Sequence, residues 1–534
     1  MKEFDYIVVG GGAGGCAVAA RLSEDPAISV CLLEAGKGDD QLLIKVPFCT
    51  ALMLPTSINN WAFETVPQPG LNGRRGYMPR GKALGGSTSI NAMVYTRGHP
   101  WDYDHWASLG NDGWAWRDVL PYFTKSEHNE NFGGEYHGQD GPLNVANLRS
   151  MNPFQEIYLE AARQTGFKLI DDFNGVDQEG IGIYQVMQKN GERWNAARAY
   201  LAPHLASRPN LTVITQARAQ RILFSGKRAT GVELLQAGAR HSFQAKREVI
   251  LAAGAIQSPQ LLMLSGVGAG AELQPLGIPV VHDLPGVGKN LQDHPDYVFN
   301  YRAKSLDLLG ISIGGSFRML DEIGRYRHER TGMMTSNGAE GGGFLRRFAD
   351  SPAPEFQLHF VVGMIDSHAR KLHMGHGYSC HICLLRPKSV GTLALASADP
   401  LAAPSIDPNF LGHPDDLDAM VDGFKLTRKL MNAPILAGIR TGEVYTEGIH
   451  SDAAIREELK KRSDTIYHPV GTCKMGNDAM AVVDSSLRVH GLEALRVVDA
   501  SIMPTLIGGN TTAPTLMIGE KAADMIRADC GRDA

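Results

Sequence analysis

No run of apolar residues in this chain reaches the roughly 18 that a bilayer-spanning helix requires. The chain passes from Met1 directly into FDYIVVGGG, with no basic stretch, apolar run and cleavage site, so no secretory leader is expected. Long basic runs are missing too. The 52 Lys and Arg are outnumbered by 57 Asp and Glu, for a net charge of −5, which argues against nucleic acid as a partner. Cysteine is scarce and odd in number, seven in 534 residues, with no spacing that resembles a disulfide framework; a reducing compartment is expected. The one close pair, Cys380 and Cys383, lies in SCHIC and continues into LLRPKSVGTLAL, which reads as strand, turn, strand. No second ligand pair lies nearby, so no metal site is expected. Tryptophan is absent beyond Trp194.

Glycine is what the chain has in quantity, 60 residues beside 43% hydrophobic and 20% charged. The balance supports large cores, and the length predicts two large domains or two to four smaller ones. So much glycine predicts tight turns and close backbone approaches.

The first of these is in FDYIVVGGGAGGCAVAARLSEDPAISVCLLEAG. An apolar run of strand length, residues 4–9, leads into Gly10, Gly12 and Gly15 as G-x-G-x-x-G, then a helical pattern of small residues, then a second apolar run ending at Glu34. In such a unit the first glycine permits the tight turn, the second lets the backbone approach a pyrophosphate, and the third lets the helix pack on the sheet. The helix N-terminus offers unpaired N–H groups and positive partial charge to phosphates. Glu34 stands where an acid accepts the ribose hydroxyls of an adenosine. The unit predicts a dinucleotide-binding fold and does not separate NAD from FAD.

RGKALGGSTSINAMVYTRG follows from Arg80. Gly85 and Gly86 interrupt regular structure, and Ser87, Thr88, Ser89 and Asn91 place hydroxyls and N–H groups in one loop. That suits the polar edge of a flat heterocycle or phosphate oxygens, and equally an N-capped helix. REVILAAGAIQSPQLLMLSGVG, from Arg247, reads as strand, turn at Gly254 and helix, and LPGVGKNLQDH, residues 284–294, is another polar, turn-rich loop.

Together these blocks resemble the glucose–methanol–choline family of FAD-dependent oxidoreductases. GKALGGSTSINAMVYTRG is similar to its first signature and GAIQSPQLLMLSGVG to its second. PGVGKNLQDH, LRPKSVGTLAL, IYHPVGTCKMG and LRVVDASIMPTLIGGNTTAPTLMIGEKAAD resemble its later blocks, in order, over nearly the whole chain. Within the family the likeness is to choline-dehydrogenase-like bacterial alcohol dehydrogenases. The resemblance implies an α/β fold, with a Rossmann-type FAD-binding domain and a substrate domain on a mixed or antiparallel sheet flanked by helices. Residues 1–150, 191–300 and 463–534 are expected in the first domain, 151–190 and 301–462 in the second. Cofactor contacts are implied at Gly10, Gly12, Gly15, Glu34, Gly85, Gly86, Ser87, Asn91, Ala92, Ala219, Asp499, Ala500, Asn510 and Thr511. Relatives that attach FAD covalently use a histidine just before the asparagine of GGSTSIN; here Ile90 holds that place, so noncovalent FAD is expected.

Read alone, His468 in IYHPVGTC is most simply a buried, hydrogen-bonded histidine in a broken run. The resemblance aligns it with the family's active-site histidine, and aligns Asn510 in GGNTTAPT with that histidine's partner. The chemistry fits. Alcohol oxidation removes a proton from oxygen and a hydride from carbon, and hydride leaves an alkoxide more readily than an alcohol. A histidine takes the hydroxyl proton near neutral pH, the flavin N5 receives the hydride, and Asn510 donates to the oxygen as charge develops. Pro514 is expected in the first turn of a closing helix, and the resemblance implies that the N-terminus of this helix faces the flavin pyrimidine edge, where its positive partial charge favours an anionic reduced ring.

For substrate, Trp61, Tyr467 and Glu340 would form a cage for a quaternary ammonium, while Met364, Met334 and Val362 suit an alkyl chain. The expectation leans to an uncharged primary alcohol, oxidised to an aldehyde, with electrons passing to a quinone or another non-oxygen acceptor. Choline, sugar, polyol or polyether dehydrogenases and an oxygen-using oxidase keep the same chemistry; a non-redox lyase or photodecarboxylase is the reading from another class. A cytoplasmic protein is expected, free or held peripherally on the inner face of the cytoplasmic membrane.

Overall fold

The computed structural model describes residues 2–530. The strand Lys2–Val9 is buried over its second half and runs between Val30–Leu33 and Ala239–Leu251, parallel to both. A strand covered on both faces needs no polar alternation, which explains the unbroken YIVV of Tyr6–Val9. Leu211–Ile214 extends the parallel set beyond Val30–Leu33. Ala239–Leu251, 13 residues long, reaches past its neighbours. Its first half pairs antiparallel with Arg228–Gln236, which pairs with Ala217–Ser225, and its last residues pair in parallel with Leu495–Val497. The result is a seven-stranded sheet closed by a segment nearly 500 residues after its first strand.

Two helices stack beside this sheet, Ala13–Leu22 and Thr512–Cys530. They approach so closely that a Cβ on Gly519 would lie 2.8 Å from that of Ala17. The closing helix begins two residues before Pro514, which sits in its first turn, where a missing N–H removes no intrahelical bond.

The second sheet has eight strands, and every pairing in it is antiparallel. Its main path runs Arg440–Val444, Pro295–Ala303, Gly375–Leu384, Phe356–Val361, Gly341–Leu345 and Gly180–Ile183. Helices Phe154–Thr165 and Pro414–Met431 contribute to the apolar core on it, with Tyr158 stacked on Phe360 at 4.4 Å. The segment boundaries need correction. One drawn at 300 falls inside Pro295–Ala303, and Asp464–Thr465, beyond 462, still pairs with that strand. Cys380 and Cys383 lie within Gly375–Leu384, where residues three apart point to opposite faces, and Cys383 Sγ donates to the Gln357 carbonyl at 3.4 Å.

Candidate active site

One cavity lies between the sheets and draws its walls from both. At one end is the turn after Lys2–Val9. Gly10 has φ of +109°, and a Cβ there would meet the Ala252 carbonyl oxygen at 2.4 Å. Gly12 is the N-cap of Ala13–Leu22 and supplies no side chain to the first N–H groups of the helix, which face the cavity unclaimed by helical bonds. Gly15 lies off the lining: a Cβ there would stand 1.9 Å from the Gly10 carbonyl oxygen, so it acts on packing alone. Glu34 is buried, its carboxylate accepting from Gly11 N at 3.0 Å and Gly36 N at 2.6 Å, and burial pushes it up to about 7. Ala219, Asp499, Ala500 and Thr511 also line the cavity. Asp499 holds its own neighbourhood together, accepting from Gly254 N, Ser258 Oγ and Ser501 N.

Gly86, Ser87, Asn91 and Ala92 line the middle. Gly85 does not. Its φ of +92° makes the turn that presents them, and a Cβ would strike Ser89 Oγ at 2.4 Å. Asn91 is anchored by Arg193, whose guanidinium is fully buried. It donates to the Asn91 carbonyl and Oδ1, to the carbonyls of Ile44 and Thr88, and to Thr50 Oγ1. One cation thereby ties residues 44–50 to the glycine-rich loop.

At the far end stand His468 and Asn510. His468 Nε2 is 3.2 Å from Asn510 Nδ2, and His468 Nδ1 is 2.9 Å from Nδ1 of His294. His294 Nε2 faces two carbonyl oxygens, Leu385 at 3.0 Å and Ile507 at 3.1 Å. Carbonyls only accept, so His294 carries its proton on Nε2 and offers a lone pair at Nδ1. His468 must then donate from Nδ1, which leaves its Nε2 lone pair toward Asn510 and the cavity. The amide of Asn510 is fixed from behind: its Oδ1 accepts from Thr96 Oγ1 at 3.1 Å and Gln357 Nε2 at 3.0 Å. Its Nδ2 therefore points at His468.

Burial holds His468 well below the ordinary histidine range, and His294, His359 and Arg80 push in the same direction. Burial also takes His294 down to about 3. Both rings are neutral at physiological pH, as the relay requires. The backbone delivers His468 through strain: Tyr467 has φ of +76°, rare for an aromatic residue and costing about 1–3 kcal/mol. It is held there by His368, whose Nδ1 is 2.7 Å from the Tyr467 hydroxyl, and by a bond from Tyr467 N to Thr465 Oγ1. Asp293 accepts from His468 N and Thr465 Oγ1, and burial pushes its carboxyl up to about 7.

The expected substrate residues divide. Tyr467 lines the cavity beside His468. Trp61 lines it too, yet its ring stacks on Phe63 with Lys82 Nζ at 4.3 Å and the Arg218 guanidinium at 5.0 Å, so two cations already occupy its surroundings. Glu340 is withdrawn: it has no exposed surface, and its oxygens accept from Ser336 Oγ and Asn152 N. Met364 turns toward Gly377, off the lining. Met334 packs with Val46, Cys49 and Tyr326, and Val362 is buried in the second core. The wall near the histidines is instead Leu309, Val361, Ile365, Ile466 and the segment Ser336–Ala339, with His359 and His381.

Sequence reading missed His294, His359, Thr96 and Gln357. His294 ends the LQDH block and His359 sits in FQLHFVVGM, an alternating strand; only the sheet register sets His359 opposite His381. His359 Nε2 is buried and has no hydrogen-bond partner among the described residues, and burial drives the ring down to about 3.

Family models described as GMC oxidoreductase match residues 4–296 and 387–519. The chain is 47% identical over 527 residues to an alcohol dehydrogenase [acceptor] of Pseudomonas putida, covering 98% of this chain and 95% of that one. It is 44% identical to an oxygen-dependent choline dehydrogenase of Burkholderia mallei, over 98% and 94% of the two chains. The crystal structure of pyridoxine 4-oxidase from Mesorbium loti superposes with a TM-score of 0.89 at 30% identity, covering 98% of this chain and 99% of that one.

Proposed function

The chain belongs to the GMC oxidoreductase family, and on that premise we propose that it is an FAD-dependent dehydrogenase of uncharged primary alcohols, passing electrons to a quinone or another non-oxygen acceptor. The observation that carries the reading is the His468–Asn510 pair, with an unprotonated Nε2 aimed into the same cavity as the glycine cradle. The donor set fits FAD. A glycine turn and a bare helix N-terminus suit the pyrophosphate, Glu34 the adenosine ribose, and the N-terminus of Thr512–Cys530 an anionic ring edge. Ile90, buried and on the lining, has no atom to bond the ring, which supports noncovalent binding.

When bound, FAD supplies the ring that accepts a hydride. The chain does the rest. Asn510 Nδ2 donates to the substrate oxygen, His468 Nε2 takes its proton, and His294 keeps that nitrogen free to do so. The apolar wall of Leu309, Val361, Ile365 and Ile466 suits an aliphatic chain and keeps water from the alkoxide. With Glu340 engaged elsewhere, the lining near His468 has no carboxylate for an ammonium group. Choline is the second reading, and it draws on Asp296, which lies behind the lining and accepts from His381 Nδ1 at 2.7 Å.

The test is anaerobic. An aliphatic primary alcohol should bleach the visible band of the bound flavin and choline should not; slow recovery in air and fast recovery with a quinone analogue complete the expectation. Bleaching by choline alone replaces the substrate, and rapid recovery in air replaces the acceptor. Bleaching only by sugars, polyols or polyethers moves the substrate there. No bleaching by any alcohol overturns the redox reading in favour of a lyase or photodecarboxylase.

A further inference from the structure

We propose that the helix Ile313–Glu329, with the strand ends flanking it, docks this protein onto the headgroup layer of an anionic phospholipid bilayer. The helix has two apolar faces. One is internal: Tyr326 is buried, and Met319 packs with it against Val46 and Phe48. The other faces solvent. Ile313, Phe317 and Leu320 are 82%, 67% and 65% exposed, and steps of four and three place them on one stripe. The stripe continues into its neighbours. Leu306 lies against Gly314, Ile311 bridges to Met374, and Leu306, Ile311, Leu372 and Met374 are all exposed. Single exposed apolar residues are ordinary; a contiguous set around one helix marks an interaction surface.

Charge selects the partner. Residues 302–330 and 366–374 carry eight Lys and Arg against five Asp and Glu, in a chain whose net charge is −5. Arg302, Lys304, Arg327 and Lys371 are exposed, and Arg327 follows Leu320 by seven residues on the same stripe. Long basic side chains beside an apolar stripe keep their stems in the acyl boundary and their charges at phosphates. A second copy of this chain would bring the same positive excess against itself, whereas an anionic bilayer complements it. No helix among the described residues is long and apolar enough to cross a membrane, so the helix would lie in the interface plane.

The position matters for the cavity. Phe48, under the helix, lines it, as do Leu309, beside the stripe, and Ile365 and Ala369, on the loop leading to Leu372. Docking would set this apolar end against lipid, where a long-chain alcohol and a quinone dissolve. This last step rests on the proposed function; the docking itself does not.

The experiment uses the full-length, FAD-loaded protein and flotation with vesicles of phosphatidylcholine alone or mixed with phosphatidylglycerol, without substrate. The wild type should float with the mixed vesicles, less so as salt rises. The double variant F317S/L320S should bind at least tenfold more weakly, with flavin reduction by a soluble alcohol unchanged. A second variant, K304E/R327E, should lose binding to the mixed vesicles selectively, which keeps the test independent of any misfolding of the first. Equal binding by wild type and both variants, or no binding by the wild type, overturns the proposal. So does light scattering that shows a wild-type dimer broken by F317S/L320S, which would assign the stripe to a second copy. Flotation without flavin bleaching would leave the docking standing and remove the alcohol reading alone.

Discussion

His468 and His294 meet through like atoms, Nδ1 to Nδ1 at 2.9 Å, with their rings nearly perpendicular at 89°. Either ring could donate across that contact, and the two carbonyls at His294 Nε2 decide that His468 does. His294 is thus a positioning residue: it touches no reacting atom and decides which nitrogen of His468 is basic. His294→Phe keeps the bulk and removes the acceptor. Flavin reduction by substrate should slow by roughly 10-fold or more, at least the loss typical when the hydrogen-bond partner orienting a metal-bound histidine is removed. FAD content and the KM for alcohol should change little, because neither rests on the tautomer. Stopped-flow reduction under anaerobic conditions separates these terms, and an equal loss of bound FAD would show a structural role instead.

The first strand–helix–strand unit was legible from local pattern, although only part of its constraint is local: Gly15 answers to the Gly10 carbonyl oxygen beside it, whereas Gly10 answers to the carbonyl of Ala252 on a distant strand. His468 and Asn510 were legible as motifs through resemblance, but the relay was not. His294, Leu385 and Ile507 come together from three separated segments, and no periodicity announces two backbone carbonyls meeting one ring. Glu340 misled for a related reason. A carboxylate between glycines reads as accessible, and only the packed structure reveals Ser336 and Asn152 already bonded to it. Met364 failed because it lies in the loop after Phe356–Val361 and turns toward Gly377, off the cavity lining.

Asn510 offers a second test, through charge. In the wild type His468 is held well below its ordinary range, so it stays unprotonated as pH falls through 6.5 and the rate of flavin reduction should be flat there. Asn510→Asp places a carboxylate 3.2 Å from Nε2, where it stabilises the imidazolium and raises the His468 pKa. Protonated His468 is no base. The variant should therefore show a rate that climbs with pH near or above 6.5, while Asn510→Ala stays flat at a lower plateau. Rate constants measured from pH 5 to 9 on all three proteins decide it, and a flat profile for Asn510→Asp would contradict the assignment of His468 as base.

Glu34 should make FAD retention depend on pH. Its carboxyl is raised to about 7 by burial, and ribose hydroxyls bind the ionised form. Affinity for FAD should weaken as pH falls through 7 and level off above it. Glu34→Ala removes the acceptor for the ribose and for Gly11 N and Gly36 N together. The FAD dissociation constant should rise roughly 10- to 100-fold, and its pH dependence near 7 should vanish. Fluorescence titration of the apoprotein with FAD reads both.

His359 ties the site to acid stability, and its sign follows from burial. Its folded pKa is lowered to about 3, whereas the unfolded chain takes up a proton near 6.5. Below 6.5 the unfolded state binds more protons, so the contribution of His359 to stability falls as pH drops from 6.5 toward 3. Asp293 acts in the opposite sense: raised to about 7, it favours the folded state most at low pH and loses that contribution as pH rises through 7. The wild-type curve is therefore flattened by cancellation, and the difference between two proteins is the informative quantity. His359→Gln replaces a titrating ring with a neutral side chain. Relative to wild type, the variant should gain about 1.4 kcal/mol for each pH unit between 6 and 4. Urea unfolding of the FAD-loaded proteins at several pH values measures it, and parallel curves would mean that His359 is protonated in the folded protein.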